Sequence, residues 1–142
     1  MAQGSKPDEF FEGGRWAVVG VSRDADKYGS IVHRRLKDRG EEVYPVNPSV
    51  TEIEGEPCYP SLADLPDEVE QIVIVVPPSR TEEVVREAAD QGIGRIWMQP
   101  GAESNSAVEY CYARGINVVS GQCILRFMDA LGPRRGSGRS RA

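Results

Sequence analysis

Residues 15–29 read RWAVVGVSRDADKYG. A short apolar run, Trp16 to Val19, breaks at Gly20 and passes through a small polar loop before a helical pattern opens at Ser30. Strand, glycine turn and helix N-terminus in that order build a site for phosphate. The turn lets a ligand approach the backbone, and the first free N–H groups of the helix point at its negative charge.

Working outward, residues 1–14 read as an N-terminal arm that Phe10 and Phe11 pin to the body. The first strand extends from Trp16 to Val21, and its nearly unbroken apolar character suits a strand covered on both faces. Ser30 to Arg39 forms a helical pattern with Ile31, Val32 and Leu36 on one side and Gly40 at the stop. A second strand, Glu42 to Val46, enters Asn47-Pro48, where the proline keeps the chain extended. Ser49 to Pro57 reads as a polar loop, Cys58-Tyr59 as a short edge strand and Ser61 to Leu65 as a helical turn. Gln71 to Val76 is the clearest strand. Ser79 and Glu82 make a capping-box pattern for a helix to Gln91, with Val84, Val85, Ala88 and Ala89 inward and Gly92 at its end. Arg95 to Met98 is the next strand. A Gln99-Pro100-Gly101 loop and a helix capped at Ser104 or Asn105 follow. Asn117 to Val119 and a closing helix, Cys123 to Leu131, complete residues 15–131 as one unit.

Strands alternating with helices of about ten residues imply βαβ units and a parallel sheet. Ligands of such sheets bind outside the carboxyl ends of the strands, near the switch in strand order. Four strand ends are selected: Gly20 to Ser22, Val46 to Pro48, Val76 to Ser79, and Met98 to Gly101.

Composition narrows the function. The chain has 142 residues, 39% hydrophobic and 27% charged, as a soluble single domain does. No apolar run reaches the ~18 residues of a membrane span, and the polar, acidic N-terminus is unlike a secretory signal. The expected location is the cytoplasm. Cys58, Cys111 and Cys123 are scattered and odd in number, which fits reduced thiols rather than a disulfide framework or zinc site. The net charge is −5, yet Arg134, Arg135, Arg139 and Arg141 sit in a C-terminal segment, 132–142, expected to be a disordered basic tail. An acidic body argues against nucleic acid as the main partner.

The first loop departs from the dinucleotide fingerprint. Gly20 is followed by Val21-Ser22-Arg23, the next glycine is Gly29, and Val46-Asn47-Pro48 brings no acid for a ribose. The longer loop carries two cations, Arg23 and Lys27, suited to phosphates placed differently. Pro45, Pro48, Pro77, Pro78 and Pro100 make stiff walls, with Asn47, Ser79 and Gln99 as neutral polar groups. His33, the single histidine, reads as a surface or half-buried side chain rather than a catalyst. Ser22 has no visible base and reads as a phosphate contact, and the acids of residues 51–56 read as a solvated loop.

Taken together, AVVGVSRDADKYGSIVHRRL, EVYPVNPSVTEIEGEPCYPSLADLP, IVIVVPPS, GIGRIWMQPGA and GINVVSGQC resemble the stand-alone CoA-binding proteins. Their domain is similar to the N-terminal domain of the succinyl-CoA synthetase α subunit. The resemblance implies a three-layer, Rossmann-like, doubly wound parallel sheet of five to six strands that binds coenzyme A (CoA). It assigns Gly20, Val21, Ser22, Arg23 and Lys27 to the phosphates, and Val46, Asn47 and Pro48 to the adenosine part. Val76, Pro77, Pro78 and Ser79 flank the ligand, with Gln99 and Gly101 nearby. Ser49 and Val50 stand where family members often carry a basic residue, and Arg23 or Lys27 is expected to replace that charge.

The leading expectation is therefore non-catalytic binding of CoA or an acyl-CoA. An NAD(H)- or nucleotide-sensing module and a protein-interaction module with a decayed ligand site are the competing readings. The edge near Cys58-Tyr59 and the apolar closing helix are candidate surfaces for a homodimer or an unknown protein partner.

Overall fold

The computed structural model describes residues 6–133, so the arginines expected in a disordered tail lie outside the described residues. In chain order the elements are β1 (Trp16–Val19), α1 (Tyr28–Asp38), β2 (Val43–Val46), β3 (Glu52–Ile53), β4 (Glu56–Pro57), β5 (Gln71–Ile74), α2 (Pro78–Asp90), β6 (Arg95–Met98), α3 (Asn105–Ala113), β7 (Asn117–Val119) and α4 (Ile124–Leu131). Five strands form one parallel sheet in the order β2-β1-β5-β6-β7. The order reverses between β1 and β5, the position at which ligands of such sheets generally bind.

Successive side chains of a strand face opposite ways. Ala17 and Val19 accordingly join Ile72 and Ile74 under Val84, Val85 and Ala88 of α2 and Cys111 of α3. Trp16 and Val18 join Val73 and Trp97 under Val32 and Leu36 of α1 and Ile124 and Met128 of α4. Two cores on one sheet give the three-layer, Rossmann-like, doubly wound architecture. Phe10, in a short turn of helix ahead of β1, is fully buried, its ring edge-on to Trp97 with centroids 5.3 Å apart. The helices α1, α2 and α3 end alike: the N–H of Glu41, Ile93 and Ile116 reaches back to the carbonyl of Leu36, Ala88 and Cys111, around Gly40, Gly92 and Gly115.

Tyr59 makes a parallel bridge to Val46, so the expected edge strand is a single pairing that covers β2. The apolar side of α4 is core, with Ile124 and Met128 buried. Among the described residues, no helix is long and apolar enough to cross a membrane.

Three expectations need correction. The loop of residues 49–57 contains an antiparallel hairpin, β3–β4, turning at Glu54-Gly55. Helix α2 starts at Pro78 with Pro77 as its cap, so Ser79 lies inside the first turn and makes no cap; proline, lacking an N–H, suits that first position. His33 is only 2% exposed. The buried residues of α1 are Gly29, Ser30, Val32, His33 and Leu36, and Ile31 is only partly covered, because the β1–α1 loop and the hairpin cap a second flank of the helix.

Candidate functional site

Two glycines set the geometry of the β1–α1 turn. Gly20 adopts φ +111°, and a Cβ there would stand 2.3 Å from the Val75 carbonyl oxygen. A Cβ on Gly29, in the first turn of α1, would stand 2.2 Å from the Gly20 carbonyl oxygen. The end of β5, the turn and the helix thus stack with no room for side chains. Gly29 performs, nine residues on, the close helix–strand packing that the last fingerprint glycine provides in dinucleotide folds.

The polar groups between them are largely tied to the backbone. Ser30 Oγ donates to the Ser22 carbonyl (2.6 Å) and accepts from the Ser22 N–H (3.2 Å). Ser22 Oγ accepts from the Asp24 N–H at 2.9 Å. Asn47 donates through Nδ2 to the Val21 carbonyl at 2.7 Å, and its Oδ1 accepts from the Ser49 N–H at 2.8 Å. Asn47 therefore staples the end of β2 to the turn after β1. Arg23 and Lys27 are exposed, and neither side chain has a hydrogen bond or ion pair among the described residues.

At the far side of the same edge, Gln99 is 3% exposed. Its Oε1 accepts from the Ile124 N–H at 2.6 Å, capping α4, and its Nε2 donates to Cys123 Sγ at 3.5 Å. Burial pushes the Cys123 thiol up, but the bonds from Gln99 and from the Arg126 and Leu125 N–H groups outweigh it, so the thiol lies below its ordinary value. Cys123 is half-buried, whereas Cys58 and Cys111 are buried. Trp97 Nε1 donates to the Gln122 carbonyl at 2.9 Å, fixing the loop after β7.

The structure brings Gly20, Val21, Ser22, Val46 and Asn47 together with Val76, whose Cγ1 lies 3.2 Å from where a Gly20 Cβ would sit. Pro48, Pro77, Pro78, Ser79 and Gly101 are exposed along the same edge, and Gly101 N–H donates to Glu103 at 3.0 Å; Pro45, expected as a wall, is instead buried within β2, paired in register with Val18. Gln99 is set apart from them by its burial. Beside the turn lies a cleft of about 230 Å³, walled by Ser22, Arg23, Ser30, His33, Arg34 and the hairpin residues 52–55. Of the residues expected from sequence, Ser22 and Arg23 alone line it. The contribution of His33, Arg34 and the hairpin was missed; the signal was Glu54-Gly55, a two-residue turn between short extended segments. Among the described residues, no cluster of His, Cys, Asp or Glu has the spacing of a metal site.

A parallel sheet with a glycine turn at its switch point and unpaired cations beside it defines a nucleotide-type binding domain. Residues 14–129 match the family described as CoA binding domain, and the chain belongs to that family. It is 30% identical over 128 residues to the α subunit of acetate-CoA ligase (ADP-forming) II from Pyrococcus furiosus, covering 82% of this chain and 28% of that subunit. The chain spans less than a third of the length of the ligases it matches. Among solved structures it resembles a conserved hypothetical protein from Pyrococcus furiosus, at TM-score 0.76 and 41% identity, covering 80% of this chain and 98% of that one. A hypothetical protein from Pyrococcus horikoshii OT3 aligns at TM-score 0.84 and 31% identity, over 88% of each chain.

Proposed function

We propose that this protein binds coenzyme A or an acyl-CoA at the carboxyl edge of its sheet and catalyses no reaction of its own. The observation that carries the reading is the turn between Gly20 and Gly29, whose two cations, Arg23 and Lys27, are exposed just ahead of α1 and have no side-chain partner among the described residues, in a chain of the CoA-binding family. In this reading the backbone of Val21 and Ser22 meets the phosphates. Val46, Pro48, Val76, Pro77, Pro78, Ser79 and Gly101 form the flanking walls. Asn47 and Gln99 act as positioning residues, since their amides hold loops rather than project freely.

The non-catalytic half rests on the small neighbours, which this chain covers at 98% and 88% of their length. Isothermal titration with CoA, acetyl-CoA and NAD tests the reading. Binding of a CoA species with no response to NAD is expected. Absence of heat with every CoA species at high protein concentration would overturn it.

A further inference from the structure

The cleft between α1 and the β3–β4 hairpin has features that the packing of the fold leaves unexplained. His33 forms part of its wall, is buried, and its Nε2 has no hydrogen-bond partner. A buried polar nitrogen without a partner is costly, and native structures rarely keep one without a reason. Next to it, Arg34 is held by one carboxylate: Glu54 Oε2 lies 2.6 Å from Nη2, with both side chains about half exposed, at 42% and 51%. An exposed pair of this kind contributes little and exchanges readily. Glu54 reaches Arg34 from the hairpin turn at φ +51°, the single positive φ outside glycine among the described residues. Arg23 completes the rim, with no side-chain partner among the described residues.

A guanidinium already gripping a carboxylate oxygen, a second guanidinium and an imidazole nitrogen in need of a partner match a phosphomonoester, which offers three strong acceptor oxygens. Glu52 on the hairpin is the opposing acid, whereas Glu56 is neutralised by Lys37 at 2.5 Å. At about 230 Å³ the cleft is smaller than the ~300–1,000 Å³ pockets that enclose whole ligands, but it is continuous with the Ser22-Arg23 turn. It suits one end of a longer molecule that lies across that turn.

We propose that this cleft receives the 3′-phosphate of CoA, bound by Arg34 and His33, with Glu54 giving up its place on Arg34 when the ligand enters. The proposal rests on the CoA reading above. Carboxylate and phosphate compete for one guanidinium, so Glu54 is an internal stand-in for the ligand's anion.

The test is titration of CoA and dephospho-CoA, which lacks the 3′-phosphate, against the wild type and against Arg34→Gln, His33→Gln and Glu54→Gln. In the wild type CoA is expected to bind about tenfold or more tightly than dephospho-CoA, the worth of one charge-assisted contact. Arg34→Gln and His33→Gln bring that ratio towards one while dephospho-CoA affinity stays within about twofold. Glu54→Gln tightens CoA alone, a change that a purely structural ion pair would not produce. Arg34 is half exposed, so its variant remains informative even if His33→Gln fails to fold. A wild-type ratio near one, or a ratio untouched by Arg34→Gln, removes the assignment of this cleft and leaves CoA binding standing. No binding of either compound removes the CoA reading itself.

Discussion

At the β1 end of the sheet's carboxyl edge, Ser22, Ser30 and Asn47 are engaged by backbone groups, while Arg23 and Lys27 are exposed with no side-chain partner among the described residues. At the β6–β7 end, Gln99 is buried and caps α4, and the neighbouring indole of Trp97 holds the loop at Gln122. Both ends carry polar residues after an apolar strand, and by sequence they look alike. The difference lies in what the polar groups satisfy. Neutral groups here close the fold's own unpaired N–H and C=O groups, and under the proposed reading the charges of the first turn are what is left for the ligand.

The sharpest way to break this contrast is at Gly29. With a Cβ only 2.2 Å from the Gly20 carbonyl oxygen, Gly29→Ala must displace backbone rather than a side chain. We expect a loss of about 3 kcal/mol, measured by urea denaturation. A loss below about 1 kcal/mol would mean that the turn moves freely and does not hold a pre-formed site. Next in size is Gln99→Ala, which leaves the Ile124 N–H without its acceptor. A cost of about 2 kcal/mol is expected, with faster amide exchange at the start of α4. If this variant instead lost CoA affinity at full stability, Gln99 would face the ligand and the two ends would be equivalent.

The double variant Arg23→Ala, Lys27→Ala tests the other side. Both residues are exposed and have no side-chain partner among the described residues, so stability should stay within about 0.5 kcal/mol. CoA affinity should fall about tenfold at low salt, and the gap should narrow as salt screens the charges. Unchanged affinity at every ionic strength would move the phosphates away from this loop.

The layered fold was legible because its signals are local and repeated. Apolar runs such as residues 71–76 mark buried strands, and Gly40, Gly92 and Gly115 mark the helix stops. Residues 95–98 and 117–119 are strands at the expected bounds. What escaped depends on neighbours distant in sequence. His33 reads as polar on a helix, and its burial follows from the loop and hairpin that cover that flank. Ser79 and Glu82 match a capping box, but Pro77-Pro78 starts the helix earlier, and Glu82 bonds instead to the Ser106 hydroxyl on α3. Gln99 reads from sequence as a residue near the ligand, and its bond to the Ile124 N–H at the start of α4 shows only in three dimensions. The strand ends were readable; which of their side chains the fold itself would occupy was not.

The smallest effect concerns His33. Burial is the main cause that holds its pKa below the ordinary value of 6.5; Lys37 adds to this, Glu56 and Glu54 oppose it, and Arg34 lowers it further. As pH falls through that ordinary value, the unfolded chain takes up a proton that the folded imidazole still resists. The folded state therefore loses stability as pH falls from the unfolded pKa to the depressed folded one, and above that window the contribution is fully present. Melting temperatures of the wild type should decline from about pH 7 towards pH 5, before most carboxylates titrate, and His33→Gln should decline less. Parallel profiles would mean that water already solvates the ring. The β1 end would then offer an open surface rather than a desolvated wall, and its contrast with the buried amide of Gln99 would shrink accordingly.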